Sequence, residues 1–592
     1  MNIITVNRVT LMIDMSLASM SSLPPFALFF VGAFILLLLK GKTGRLIAGI
    51  VTVTIPVVSF IALLQWQHGS YGEYQLLGME LTLTKVDRLS LLFGYLFHLA
   101  AFIGGIFALH EKDRVQQIAA LTYAGSAVGA VFAGDWITLF VFWELLALTS
   151  VFLVLARRTE ASYQSSMRYL IIQVLSGVLL FAGGLLLVKQ TGSADIVAFT
   201  LDTTSLTFSN LAIWLIFVAF GIKCGFPFFH NWISDAYPQA TPTGTIFLCA
   251  LTTKVAVYAL ARSFAGTDIL ITIGLIMACF PIFFAVIEND LRRVLAYSMI
   301  NQIGFMVCGI GLGTEMAING AVAHAFNDVI FKGLLMMSMG AVLYRVGHVD
   351  GSHLGGLYKS MPKTTILCIV GAASISAFPL FSGFVSKSII MLEMVKAGHT
   401  VGWLLLLFAA AGVFHHAGIK IPFFAFFHHD SGLRVKEAPT NMLIAMGIAA
   451  VLCIFIGSYP QFLYSLLPYA IDYTPYDVTH VLTQLQILFF SALAFVWLNL
   501  KGLYPPELRS TNLDVEWFYR RLFPQAWQVV QTGFSRLVFC LKMAGLSLVM
   551  GLVKMSAKYS HPSSALVRSW GVNSMLLALL GVMIVVLVFN YV

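Results

Sequence analysis

The strongest constraint in this 592-residue chain is a succession of apolar runs, most about twenty residues long. They lie at about 24–40, 44–64, 87–109, 115–133, 136–156, 167–189, 209–229, 242–262, 268–287, 294–313, 317–344, 364–391, 401–427, 438–458, 482–501 and 571–591. About 20 apolar residues in a helix match the hydrocarbon core of a bilayer. Without water to satisfy the backbone, only helices and closed barrels cross that core. The pattern predicts an all-α polytopic membrane protein with about 16 transmembrane helices. Composition agrees: only 10% of residues are charged, against about 25% in soluble domains. The run near Phe26–Leu39 reads as a first span, because no cleavage site follows its short apolar core.

The net charge of +9 does not point to nucleic acid, since the basic residues sit in short loops between apolar runs. One set of loops holds Lys40, Lys42, Arg45, Lys112, Arg114, Arg157, Arg158, Arg168, Arg292, Arg293, Arg345, Lys359, Lys363, Arg434 and Lys436. The other set, with the N-terminal arm, holds only Arg8, Lys85, Arg88, Lys189, Arg262 and Lys396. The positive-inside rule makes the first set cytoplasmic and places both termini outside. The seven cysteines form no C-x-x-C pair or Cys/His cluster. Zinc, iron–sulfur and disulfide frameworks are therefore not expected, and neither a metal nor another cofactor is implied. No G-x-x-x-x-G-K-[ST] loop points to ATP.

The segment 505–570 departs from the pattern. "PPELRSTNLDVEWFYRRLFPQAWQVVQ" mixes charges with aromatics, and Arg536, Lys542 and Lys554 interrupt the apolar residues that follow. It is expected to be an amphipathic helix lying along the cytoplasmic face. The alternative is a further span at 533–553, which would move the C-terminus inside.

Several ionisable residues lie inside the apolar runs. Glu144 is the only one in "WITLFVFWELLALTSVFLVLA"; Lys223 is in "FVAFGIKCGFPFF" and Lys254 in "CALTTKVAVYAL". His324, Asp328 and Lys332 follow one another at four-residue spacing in "VAHAFNDVIFKGLLMM", which puts them on one helical face. Lys387 lies in "FPLFSGFVSKSIIM" and Lys420 in "HHAGIKIPFFAFF". A carboxylate at the bilayer centre costs roughly 2.5–3.5 kcal/mol on insertion scales. Snorkelling to the interface is one reading of Lys420, which is near a helix end. A buried pair that only fixes packing would account for a single Glu–Lys contact. A row of charges over six spans points instead to an ion path. Breakers reinforce this: Pro227, Pro238 and Pro242 surround the seventh span, and Pro379, Gly383 and Ser386 interrupt the twelfth. Unwound backbone at membrane depth occurs where it lines a hydrated cavity, and paired interruptions point to a repeat-built transporter.

The fragments "DWITLFVFWELLALTSVFLV", "KCGFPFFHNWISDAYPQATPTGTIFLCALTTKVAVYAL", "ENDLRRVLAYSMINQIGFM", "HAFNDVIFKGLLMMSMGAV" and "FPLFSGFVSKSII" resemble the antiporter-like subunits of respiratory complex I and of Mrp cation/proton antiporters. The likeness runs in order over about residues 87–430, and "HHAGIKIPFFAFF" with "LDVEWFYRR" is most similar to the D-type branch of the Mrp antiporter subunits. The extension after about residue 500 resembles the large L-type subunit of complex I instead. The resemblance implies two inverted five-helix repeats, spans 4–8 and 9–13, with spans 7 and 12 broken. The implied divisions are 1–110 for three N-terminal spans, 111–264 and 265–430 for the two repeats, and 431–504 for two more spans. A lateral helix at 505–570 and a terminal span at 571–592 follow.

By motif the resemblance also assigns a proton relay to Glu144, Lys223, Lys254, His324, Lys332 and Lys387. Asp328 stands where relatives often carry a second histidine; His230 and Asp235 match a structural or gating turn, and Lys420 is a supporting residue. In such a relay, pairing with Glu144 favours the ammonium form of Lys223, and loss of the pair favours the amine and release of a proton. Lysine suits this role where arginine would stay charged. The expectation is a proton-translocating subunit of a multisubunit Mrp-type Na+/H+ antiporter in the bacterial inner membrane. It would be an ion transporter subunit more than an enzyme, with other membrane subunits as partners, protons as cargo and sodium left open. The alternative is a proton-pumping subunit of complex I or a membrane-bound hydrogenase; a bicarbonate-accumulating complex is a further use of this kind of protein. A structural scaffold with vestigial charges is disfavoured by the full row.

Overall fold

Polar caps at the ends of apolar runs set the helix boundaries. The computed structural model describes residues 23–39, 41–76, 78–199, 201, 210–508, 512–561 and 571–591. Arg8 and Lys40 lie outside the described residues, as do the side chains of Lys42 and Arg45. Helices α1 (Ala27–Leu38) and α2 (Gly41–Leu63) are followed by an antiparallel hairpin, β1 (Gly69–Leu76) and β2 (Met79–Val86). Then come α3 (Arg88–Phe107), α4 (Arg114–Phe132), α5 (Trp136–Leu155), α6 (Glu160–Thr191) and α7 (Leu211–Cys224). After the short α8 (Asn231–Ala236) follow α9 (Gly244–Ala250), α10 (Thr252–Ser263), α11 (Ile269–Ile287), α12 (Leu291–Leu312) and α13 (Glu315–Val346). The longer helices that remain in this unit are α14 (Pro362–Ile375), α15 (Phe384–Lys396), α16 (Thr400–Val413), α17 (Thr440–Ser458) and α18 (Val478–Leu500).

The side chains of Asp87, Asp113, Asp135, Thr159, Asp290 and Thr314 accept from first-turn amides of α3, α4, α5, α6, α12 and α13. Each satisfies donors that a helix N-terminus would otherwise leave open. The loops expected to share one side do meet at one end of the bundle. Arg158 pairs with Asp113 at 2.9 Å, Lys359 with Asp430 at 2.7 Å, and Arg157 and Arg292 both donate to the Pro238 carbonyl. At the opposite end Arg262 pairs with Asp87 at 2.8 Å.

Thirteen helices among the described residues are long and apolar enough to cross a membrane. All but one lie at expected spans. Four other expected spans correspond to shorter apolar helices: Ala27–Leu38, Ile47–Leu63, Leu211–Cys224 and Pro362–Ile375. The remaining long helix, Phe518–Tyr559, falls in the segment expected to lie flat. The seventh expected span stops at Cys224 with Gly225 left-handed, and the twelfth is interrupted between Ile375 and Phe384. In both breaks a non-glycine residue takes positive φ: Phe228 at 71° in Phe-Pro-Phe-Phe and Leu380 at 76° in Phe-Pro-Leu-Phe. Two features lay outside the sequence reading. The hairpin is one, although residues 79–84 alternate with period two; its Thr82 amide bonds Asp135 at 2.9 Å. The other is a one-residue interruption at Leu251, between α9 and α10.

Corresponding features recur along the chain. The Asp135 and Asp290 backbones form isolated bridges with Asp195 and Asp350, and Asp290 follows Asp135 at the spacing with which Asp350 follows Asp195. Helices α6 and α13 are both 32 residues long, and α7 and α14 both 14. The core is centred on α12 and α13, whose side chains are almost all buried. α11 approaches α12 closely because Gly304 has no side chain; a Cβ there would lie 2.4 Å from the Ala278 nitrogen.

Residues 513–592 form a separate compact unit. A turn of π-helix at Phe518–Leu522 leads into α19 (Phe523–Tyr559), and α20 (Val572–Tyr591) follows. No α19 side chain is buried within the chain.

Candidate functional site

The intramembrane charges fall into local groups on α5 and α7, on α10 and α13, and on α12, α13 and α15. Glu144 sits half-buried in the middle of α5, with Oε1 inaccessible and without a hydrogen-bond partner. Its carboxylate occupies a notch on α6: a Cβ added to Gly177 would lie 1.3 Å from that oxygen. Lys223, fully buried in the last turn of α7, donates to the Trp143 carbonyl at 2.5 Å and lies 4.5 Å from the Trp143 ring centroid. The ammonium is thus held by the peptide just before Glu144, within electrostatic reach of the carboxylate but not bonded to it. Ser176 completes the rack by accepting from the Trp143 indole at 3.0 Å and donating to the Ala219 carbonyl on α7 at 2.7 Å.

Lys254 and Asp328 form a fully buried ion pair at 2.6 Å between α10 and α13. The Asp328 carboxylate has no hydrogen bond beyond this ion pair. Asp328 is therefore the counter-ion of the Lys254 ammonium. Removing one member of such a pair leaves an uncompensated buried charge, which costs about 3–5 kcal/mol. The Lys254 ammonium also donates to the Cys249 carbonyl at 3.3 Å, beside the Leu251 interruption.

On α13, Lys332 donates to Ser298 Oγ at 2.8 Å, while His324 contacts Gln302 Oε1 through Nε2 at 3.1 Å and Ser386 Oγ through Nδ1 at 3.0 Å. Ser298, Gln302 and Phe305 lie along one face of α12, in the stretch "SMINQIGF". Lys387 donates to the Ile375 carbonyl at 2.8 Å, a group that the end of α14 leaves without a helical partner, and lies 5.3 Å from the Phe305 ring centroid. Asn327 caps the same break by donating to the Ser382 carbonyl at 2.8 Å.

The supporting residues occupy other places. Asp235 pairs bidentately with Arg168, at 2.8 and 3.0 Å, and so ties α8 to α6. The buried His230 ring packs 4.6 Å from Phe280. Lys420 does not snorkel: it is fully buried, pairs with Glu507 at 2.8 Å and donates to the Val286 and Glu288 carbonyls at 2.6 and 2.7 Å. With the Ala285 carbonyl at 3.2 Å, three backbone acceptors use all three hydrogens of the ammonium and Glu507 is its counter-ion, so Lys420 closes the end of α11. Sequence reasoning missed Gly177, Ser176, Ser298, Gln302 and Glu507, and read Ser386 only as part of a helix break. The Ser298–Gln302–Phe305 spacing was the one available signal; a glycine notch and a carboxylate 87 positions away along the chain have none.

Residues 133–414 match the model of the NADH:quinone oxidoreductase/Mrp antiporter transmembrane family. That segment belongs to the family. It contains Glu144, Lys223, Lys254, His324, Lys332 and Lys387. Over 504 residues the chain is 29% identical to the A-type subunit of the Na(+)/H(+) antiporter of Alkalihalophilus pseudofirmus, covering 76% of this chain and 62% of the relative. It is 28% identical to the D-type subunit of the same organism's Na(+)/H(+) antiporter, covering 75% and 95%. The likeness to hydrogenase-4 component B of Escherichia coli is 27% over 54% of this chain and 52% of that protein. The chain thus spans about half to three-fifths of the length of the A-type antiporter protein and the hydrogenase component. Its fold matches a chain of the Mrp complex from Dietzia sp. with a TM-score of 0.73 at 23% identity, covering 91% of this chain and 63% of that one. A chain of the archaeal membrane-bound sulfane sulfur reductase matches with 0.69 at 22% identity, covering 94% and 99%.

Proposed function

We propose that this chain is a proton-translocating subunit of a multisubunit Mrp-type Na+/H+ antiporter in a bacterial plasma membrane. The observation that carries the reading is the Lys254–Asp328 pair. It sets a buried counter-ion on α13, one turn from both His324 and Lys332, and in this reading it relays charge between the Glu144–Lys223 site and the Lys332–His324–Lys387 site. Two inverted repeats, about 16 spans, an inward-facing basic end and a lateral α19 belong to the same proposal. The repeats are supported by the equal spacing of the two aspartate bridges and by the matched breaks at Phe228 and Leu380.

The mechanism follows from charges that compensate one another in a low dielectric. Lys223 can turn from the Trp143 carbonyl to the Glu144 carboxylate, a change that alters the field at Lys254. If the Lys254–Asp328 pair opens in response, Asp328 becomes available to Lys332 on its own helix, four residues on. A proton then leaves or joins the His324–Lys387 end. Moving one charge through the membrane potential involves about 2.3 kcal/mol per 100 mV, a size that one pairing change can match.

The test is proton flux, followed with a pH-sensitive dye, in native-membrane vesicles from cells carrying Glu144→Ala. We expect transport to be lost with the chain still assembled in the membrane; wild-type exchange would refute the relay. The second reading, a pumping subunit of a redox complex, is favoured by the likeness to the hydrogenase component and the sulfane sulfur reductase. Copurification of flavin or iron–sulfur subunits with the tagged chain would decide for it.

A further inference from the structure

The side chains beneath His324 define which of its ring nitrogens can take a proton. The Ala278 main-chain carbonyl on α11 can only accept, and the Asn301 side-chain nitrogen donates to it in a close contact. Gly304, one turn along α12, allows that approach. Asn301 Oδ1 is then turned the other way and accepts from Gln302 Nε2 at 2.6 Å. With its nitrogen engaged there, Gln302 presents its oxygen to His324 Nε2 at 3.1 Å. An amide oxygen carries no hydrogen, so Nε2 must supply it. Reversing the chain would set the Asn301 oxygen against the Ala278 oxygen with no hydrogen between them. The orientation of two amides and one imidazole, normally a matter of assignment, is anchored here by a backbone carbonyl.

We propose that neutral His324 is held with its hydrogen on Nε2 and therefore gains and releases protons at Nδ1, on the side of α15. Asn301 and Gln302 are positioning residues for that step. This rests on the relay reading for its function, though not for its geometry. Ser386 Oγ lies 3.0 Å from Nδ1 and donates to it while the ring is neutral. Lys387, next in sequence to Ser386, stands against the Phe305 ring, which also packs on His324 at 6.1 Å. When the proton comes from Lys387, one N–H bond of its ammonium breaks and one forms at Nδ1. Lysine becomes an amine, the imidazole becomes imidazolium, and the Ser386 hydroxyl turns from donor to acceptor. The other charges around the ring are Lys254 on α10 and Asp328 and Lys332 on α13; α12 presents only the Gln302 amide and the Phe305 ring.

The experiment is solid-state NMR of the full-length chain, labelled with 15N-histidine and reconstituted in lipid vesicles, at alkaline pH where the ring is neutral. The His324 signal is identified by its loss in His324→Gln. The expected spectrum has a protonated Nε2 and an unprotonated Nδ1. Gln302→Leu should shift the population toward Nδ1–H, and Gln302→Glu, which still presents an oxygen, should restore Nε2–H. A wild-type ring with its hydrogen on Nδ1, or a tautomer unmoved by Gln302→Leu, overturns the proposal. Wild-type proton flux through His324→Gln, together with a protonated Nε2 in the unsubstituted chain, would instead refute the relay and leave the tautomer standing.

Discussion

Glu144, Gly177 and Lys223 show how little separates a functional geometry from a structural one at the scale of single residues. A Cβ on Gly177 would meet first the end of the Glu144 side chain, which is flexible. Gly177→Ala should therefore displace the carboxylate without disturbing α5 or α6. We expect proton flux to fall by roughly tenfold to a hundredfold, as for misplacement of a reacting group, with the thermal midpoint almost unchanged. Vesicle flux and a melting curve on one preparation check both halves. Asp328 allows a complementary test. Asp328→Asn should destabilise the protein by about 3–5 kcal/mol by stranding the Lys254 ammonium. Adding Lys254→Met should recover most of that loss, and unfolding in detergent compares the single with the double variant. The charged members were legible because each contrasts with twenty apolar neighbours. Ser298, Gln302 and Gly177 were not, because their roles exist only in the register between helices.

Among elements, the interrupted helices carry the most information. Phe228 and Leu380 hold positive φ although both have side chains, and left-handed backbone costs an L-residue roughly 1–2 kcal/mol. Leu380→Gly should raise stability by about 1 kcal/mol, since Leu380 is 58% exposed and loses little packing; a higher melting midpoint is the expected outcome. At the opposite end from the basic loops, the Asp87 cap of α3 gives a pH prediction. Burial opposes its charge, but Arg262 and the Ser90 amide and hydroxyl outweigh it and hold the carboxyl below its ordinary value of 3.8. A lowered folded-state value means that the stability is present at neutral pH. It is lost as pH falls below the unfolded value, about 3.9, toward the folded one. Asp87→Asn should flatten that acid-side decline in a melting series. The breaks at Pro227 and Pro379 were readable from breaker residues. The Leu251 interruption was not, because nothing in "CALTTKV" forbids a continuous helix and Lys254 supplies its hydrogen bond only after folding.

For the whole molecule, the chain's course fixes where Glu507 ends up. The residues after α18 fold back so that Glu507 neutralises Lys420 at the end of α11. Glu507→Gln should lower stability in a way that Glu507→Gln with Lys420→Met does not. Truncation after Asn512 should leave the first unit folded, because that unit is compact without the rest; protease resistance of the shortened chain checks it.

The sequence by itself determined that the chain is a helical membrane protein, where most helices run, which ionisable groups are buried and which loops gather at one end. Hydropathy and helix breakers act locally, within about twenty residues, so they can be read along a line. Tertiary structure alone decided that Asp328 faces Lys254, that Gln302 aims an oxygen at His324, that Gly177 seats Glu144 and that Glu507 closes on Lys420. Those contacts depend on the rotation and depth of one helix against another, which the sum of packing over the whole bundle sets and no single segment encodes.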